Sequence, residues 1–182
     1  MKQIRRNVFE TNSSSTHSIC ISKKPVTIGK CIHFYIGEYG WENDCVDTAS
    51  YLYTAILEQD NCDELLDKLK RILDRYSIEY NFGEPIYHIC DDGYKWLEYG
   101  YIDHSDELQE FLSIILSDED MLMRYLFGDS NVYTGNDNQD DVPDGCDIAK
   151  EYIYAEDDFG RYVKQLNPYH DPENYDYFYK MN

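Results

Sequence analysis

Basic side chains are scarce in this chain: 16 Lys and Arg stand against 36 Asp and Glu, a formal net charge of −20 over 182 residues. That scarcity excludes general nucleic-acid binding by the whole surface, which repels phosphates unless a local basic patch dominates. Two readings of the acidity stay open. It maintains solubility, or it complements a strongly basic partner such as a nucleic-acid-binding protein. The six cysteines (Cys20, Cys31, Cys45, Cys62, Cys90, Cys146) form no CxxC pair and no dense framework. A secretory leader is not expected, because the charged MKQIRR is followed by polar NVFETNSSST where an apolar run would belong. No stretch approaches the length of a membrane span. The expectation is a cytoplasmic protein with reduced, mostly buried thiols and no membrane partner.

What is present is enough for a core. The hydrophobic fraction is 42% and the aromatic fraction 15%, with 19 tyrosines. Tyrosine fills a core edge while keeping its hydroxyl wet, and it is also favoured at interfaces, so either use fits the count. The length suits a single domain over 1–182, with a basic and polar functional segment at 1–18 and an aromatic tail at 167–182.

The pattern predicts an α+β fold, a small antiparallel sheet with several packed helices. Ser18–Ser22 alternates polar and apolar residues as a half-buried strand does. Val26–Ile36 holds a second strand candidate, and Ser77–Tyr80, Pro85–Cys90 and Tyr94–Ile102 hold others. Helices are expected over about Asp47–Glu58, from Asn61 with an Asn61/Glu64 cap, from Ser105, and from Ser117 with Asp120 to near Gly128. The stretch Gly135–Asp147 reads as an acidic loop. Two helical segments, about Asp147–Ala155 and Asp157–Leu166, precede an extended tail. No internal repeat is present.

The charge is unevenly distributed. Residues 1–30 carry Lys2, Arg5, Arg6, Lys23, Lys24 and Lys30 against Glu10 alone, a net +5, and the remaining 152 residues carry −25. The basic portion also holds Thr11-Asn12-Ser13-Ser14-Ser15-Thr16-His17-Ser18, the densest run of hydroxyl, amide and imidazole groups. Metal-free RNA cleavage needs a base for the 2′-hydroxyl, an acid for the leaving 5′-oxygen and cations for the charge on phosphorus. His17 suits either proton transfer near neutral pH. Glu10 suits the partner base or the orienting group. Arg5 or Arg6 grips a phosphate with a planar fork. The competing account is a flexible serine-rich arm.

Three other constellations are weaker. Cys31-x-His33 and His88-x-Cys90 would make a Cys₂His₂ zinc site if their strands were neighbours; ordinary half-buried strands are the simpler account. Asp140, Asp144, Gly145 and Glu151 fall at calcium-loop positions, but Val142 cannot ligate, so this reads as a solvated acidic loop. Asp91-Asp92, Asp157-Asp158 and Asp118-Glu119-Asp120 are candidates for Mg²⁺; Asp118 and Asp157 read more simply as helix N-terminal acids.

The opening RRNVFETNSSSTHSI, over about residues 4–19, resembles a segment that begins many small proteins of phages and mobile elements of Gram-positive bacteria. Among them are anti-CRISPR proteins that inhibit type II-A Cas9, and length and acidity look most similar to the kind that shortens the single guide RNA. The resemblance implies that Arg5, Arg6, Glu10, Asn12, Ser13, Ser14 and His17 form the functional centre. The resulting expectation is a ribonuclease with His17, Glu10, Arg5 and Ser14 in catalysis. Arg6, Asn12, Ser13 and Lys2 would bind RNA, with no metal and no cofactor. The partners would be type II-A Cas9 and its guide. The rival is a non-enzymatic acidic mimic that blocks Cas9 stoichiometrically; a third reading is a phage accessory protein acting on another basic host factor.

Overall fold

A computed structural model describes residues 15–40, 44–91, 93, 95–103, 108–136 and 152–181. At its centre is α1 (Thr48–Leu57), whose sequence TASYLYTAIL has no charged residue and no polar face. A helix apolar on all sides must be enclosed on all sides, and Ala49 to Leu57 are all buried. Asp47 fixes its start by accepting from the Ser50 backbone N–H at 2.8 Å.

On one side of α1 lies a four-stranded antiparallel sheet in the order β12-β1-β9-β4. Its strands are β1 (Ser15–Ser22), β4 (Asp44–Val46), β9 (Asn131–Asn136) and β12 (Tyr175–Met181). The register sets Ile19 opposite both Phe178 and Val132. On another side β2 (Cys31–Phe34) pairs in parallel with β5 (Glu79–Phe82). Phe34 stacks on Phe82 at 4.6 Å, and the Tyr53 hydroxyl of α1 donates to the Gly83 carbonyl at 2.7 Å. Helices α2 (Cys62–Arg75), α3 (Gln109–Ile115) and α4 (Glu119–Phe127) complete the enclosure. One apolar cluster runs from Ile19 and Ile21 through α1 to Leu73, Ile115 and Val132. Besides β2–β5, three further short pairs sit outside the four-stranded sheet among the described residues: β3 (Glu38–Tyr39) with β8 (Tyr101–Ile102), β6 (Tyr87–Ile89) with β7 (Lys95–Leu97), and β10 (Tyr152–Glu156) with β11 (Tyr162–Leu166).

The fold is α+β, as expected, and several details differ from the sequence reading. Residues 152–156 and 162–166 are a hairpin, not helices. Tyr152-Ile153-Tyr154 and Tyr162-Val163 are β-formers. Gly160, at φ 75°, closes a turn in which Asp157 accepts from the Phe159 and Arg161 backbone N–H groups. Asp157 is therefore a turn residue rather than a helix N-terminal acid. Strand β9 runs through the position expected to open a loop. The helix after Ser117 is capped by Asp118, which accepts from Met121 N–H at 2.9 Å, while the Ser117 hydroxyl turns back to the Ser113 carbonyl. Asn61 makes no side-chain cap bond. Ser77 takes a left-handed φ of 55°, which delays β5 to Glu79. Tyr99, at φ 57°, divides the expected strand 94–102 into β7 and β8. Ser105 lies outside the described residues.

Candidate functional site

Strand β1 carries the described end of the basic N-terminal segment. It is paired along both edges, and both of its faces are covered, so residues 17–22 are all buried. His17, Ile19 and Ile21 face the helices, and Ser18, Cys20 and Ser22 face the other way. The second face is closed by Tyr133, Tyr169, Tyr175 and Tyr177 around Cys20. Burial, with smaller contributions from Asp129 and Asp176, pushes the Cys20 thiol up to about 12.

His17 is 1% exposed. Its Nδ1 lies 2.8 Å from the Tyr51 hydroxyl on α1, and its backbone is paired with Thr134 of β9. Burial first, then Glu58 and Tyr39, holds the Tyr51 phenol well above its usual range, so it stays protonated. Tyr39 packs on Tyr51 with ring centroids 5.4 Å apart. The imidazole expected to exchange protons with RNA is thus enclosed between sheet and helix, where it fastens the segment to the body. In this arrangement His17 ties β1 to α1. Arg124 adds a second tie, reaching the Ser22 carbonyl at 3.0 Å and Asp176 at 3.1 Å.

The remaining expected site residues, Lys2, Arg5, Arg6, Glu10, Asn12, Ser13 and Ser14, lie outside the described residues. Lys23 is engaged, with Asp176 at 3.2 Å and the Pro172 carbonyl at 2.7 Å. Lys24 lies 3.8 Å from Asp129.

The structure brings forward cations the sequence reading passed over. On α2, Lys68, Arg71 and Arg75 recur at helical spacing and line a groove of about 450 Å³. Lys68 and Arg71 also border an adjoining cleft of about 310 Å³ with Asn61, Gln109 and Ser113. Arg75 pairs with Glu119. Lys68 instead reaches the Ser117 hydroxyl at 3.3 Å, and Arg71 donates to the Asp67 carbonyl. Neither forms an ion pair with a described carboxylate, although Glu64 lines the same cleft. The i, i+3, i+7 spacing is present in the sequence, on the polar side of the amphipathic helix.

The zinc pairing does not form. Cys31 and His33 are on β2, which pairs with β5; His88 and Cys90 belong to the β6–β7 hairpin. His33 instead lies 3.7 Å from Cys31 Sγ, and His88 bonds Glu98 at 2.7 Å, which lowers the Glu98 carboxyl. No group of three or more metal-ligating side chains occurs among the described residues. The calcium-loop positions 140–151 and Asp92 lie outside those residues. Cys31 and Cys90 are exposed, which corrects the expectation of mostly buried thiols. Among the described residues no helix is long and apolar enough to cross a membrane. No protein-family model, curated protein or solved structure matches the chain.

Proposed function

We propose that this protein is an anti-CRISPR inhibitor of type II-A Cas9 that shortens the Cas9-bound guide RNA, working in the host cytoplasm. The observation that carries the reading is the basic, hydroxyl-rich run RRNVFETNSSSTHSI, net positive in a chain of charge −20, which runs into β1, an internal strand of a packed sheet. Because β1 is held by β9, β12 and Tyr51, the run starts from a fixed point. Fixed attachment favours chemistry, since catalytic groups act by being positioned. In the proposed step Glu10 takes the 2′-hydroxyl proton. The 2′-oxygen then attacks phosphorus, the bond from phosphorus to the 5′-oxygen breaks, and that oxygen leaves with a proton from solvent water, giving a 2′,3′-cyclic phosphate. Arg5 and Ser14 stabilise the phosphorane oxygens. Arg6, Asn12, Ser13 and Lys2 hold the strand, and Lys68 and Arg71 supply a further phosphate contact. No metal or cofactor enters the scheme.

The enclosure of His17 favours one alternative, the acidic mimic, because it removes the best acid–base group from contact with RNA. A denaturing gel separates the two. Guide that is shortened by sub-stoichiometric protein, in EDTA, and spared by a 2′-deoxy substitution at the scission site supports the nuclease. Intact guide with lost DNA binding supports the mimic. Lys68→Glu combined with Arg71→Glu should slow shortening several-fold while leaving the thermal midpoint in place.

A further inference from the structure

A cavity of about 670 Å³ lies between the C-terminal end of α1 and the β6–β7 hairpin. Its walls combine Tyr87, Trp96, Tyr99 and Tyr101 with the carboxylates Glu38, Glu58 and Asp60. Aromatic faces and carboxylates together select a flat, weakly hydrated cation. The chain already places one cation there: Lys95 Nζ sits 3.6 Å from the centroid of the Tyr87 ring. The Tyr87 hydroxyl donates to the Leu57 carbonyl at 3.3 Å, which fixes the ring with its face to the ammonium. At the rim Tyr99 is 72% exposed and held at φ 57°. That backbone region is disfavoured for any residue with a Cβ, and strain of this kind concentrates at ligand-holding sites.

We infer that this cleft is a docking pocket for an arginine side chain on a basic protein. The guanidinium stacks on Tyr99 and Tyr87 and is neutralised by Asp60 and Glu38, displacing Lys95. The acidity of the whole chain steers such a partner in and repels free RNA. The inference deepens the proposed reading by naming a contact through which the acidic body grips Cas9, and it rests on that reading only for the partner's identity.

The test titrates isotope-labelled protein with an acetylated, amidated tri-arginine peptide and follows backbone and indole resonances. Saturable shifts at Tyr87 and residues 95–101 are expected, with none from tri-glutamine. Tyr99→Gly should weaken the peptide at least fivefold while holding or raising the thermal midpoint, because glycine accepts that φ freely. Asp60→Lys, on an exposed site, should weaken it similarly, and Lys95→Met should strengthen it. Shifts scattered over the acidic surface, or affinity unchanged in Tyr99→Gly and Asp60→Lys, would overturn the pocket. The same variants are measured against guide-loaded Cas9. Peptide binding at the cleft without Cas9 binding upholds the pocket and sinks the Cas9 reading. Cas9 binding without shifts at the cleft does the reverse.

Discussion

Helix α1 and the β10–β11 hairpin use the same residue in opposite ways. In α1, Tyr51 and Tyr53 are enclosed, and each hydroxyl has a partner, His17 and the Gly83 carbonyl. In the hairpin, Tyr152, Tyr154 and Tyr162 are exposed beside Phe159, at 83% the most exposed large apolar side chain described. The hairpin strands contact chiefly each other, whereas α1 touches three helices and both larger strand groups. A tyrosine is therefore structural where its ring is enclosed and its hydroxyl paired, and available for recognition where neither holds. The count of tyrosines does not distinguish the cases; the surroundings do.

The sharpest test of that contrast is Tyr51→Ala. It removes a fully buried ring and the partner of His17, and should cost about 3–5 kcal/mol in urea unfolding. A loss under about 1 kcal/mol would break the comparison. His17→Ala comes next. Loss of a buried polar pairing costs about 1–3 kcal/mol, so thermal midpoint and guide shortening should fall together. A stable, Cas9-binding, cleavage-dead variant would instead return His17 to a direct part in proton transfer.

The enclosed side is also the alkali-sensitive one. The Cys20 thiol is raised from 9.0 to about 12 in the folded state. In the unfolded chain it ionises first, so its contribution is complete below about pH 9 and is lost as pH rises toward 12. Tyr51 and Tyr125, both raised by burial, act in the same direction at higher pH. The urea midpoint should decline from pH 8.5 to 10.5, and a flat profile would contradict the burial of these groups. At pH 8, iodoacetamide should label Cys31 and Cys90 well before Cys20, read by mass spectrometry. Smallest of all, Tyr154→Ala should change stability by under about 0.5 kcal/mol.

Much of the helical layer was legible because its signals are local. Asp47 and Asp118 precede apolar runs, and Leu65, Leu69, Ile72 and Leu73 repeat at helical spacing. The sheet was less so. β9 is six residues long and owes its place to Tyr133 and Val132 packing against β1, a contact across more than 110 positions. Residues 152–166 carry apolar spacing compatible with a helix, and the turn at Asp157–Gly160 decides against it. In the candidate site, the polar run was visible as composition, but the enclosure of His17 follows from α1 packing on its face of the sheet, and neither that packing nor the strand order is written in any local pattern.

That strand order carries a consequence for synthesis. Strand β1 is made first, yet both its neighbours come from residues 131–136 and 175–181. Its backbone groups stay unpaired until nearly the whole described chain has left the ribosome, and His17 meets no sheet before then. A nascent chain stopped short of Tyr175 holds every residue of the proposed centre without the frame that orients it. Activity should therefore switch on with completion of the C-terminal strand rather than build up with length, and any element fused after Met181 acts directly on the edge that completes the frame.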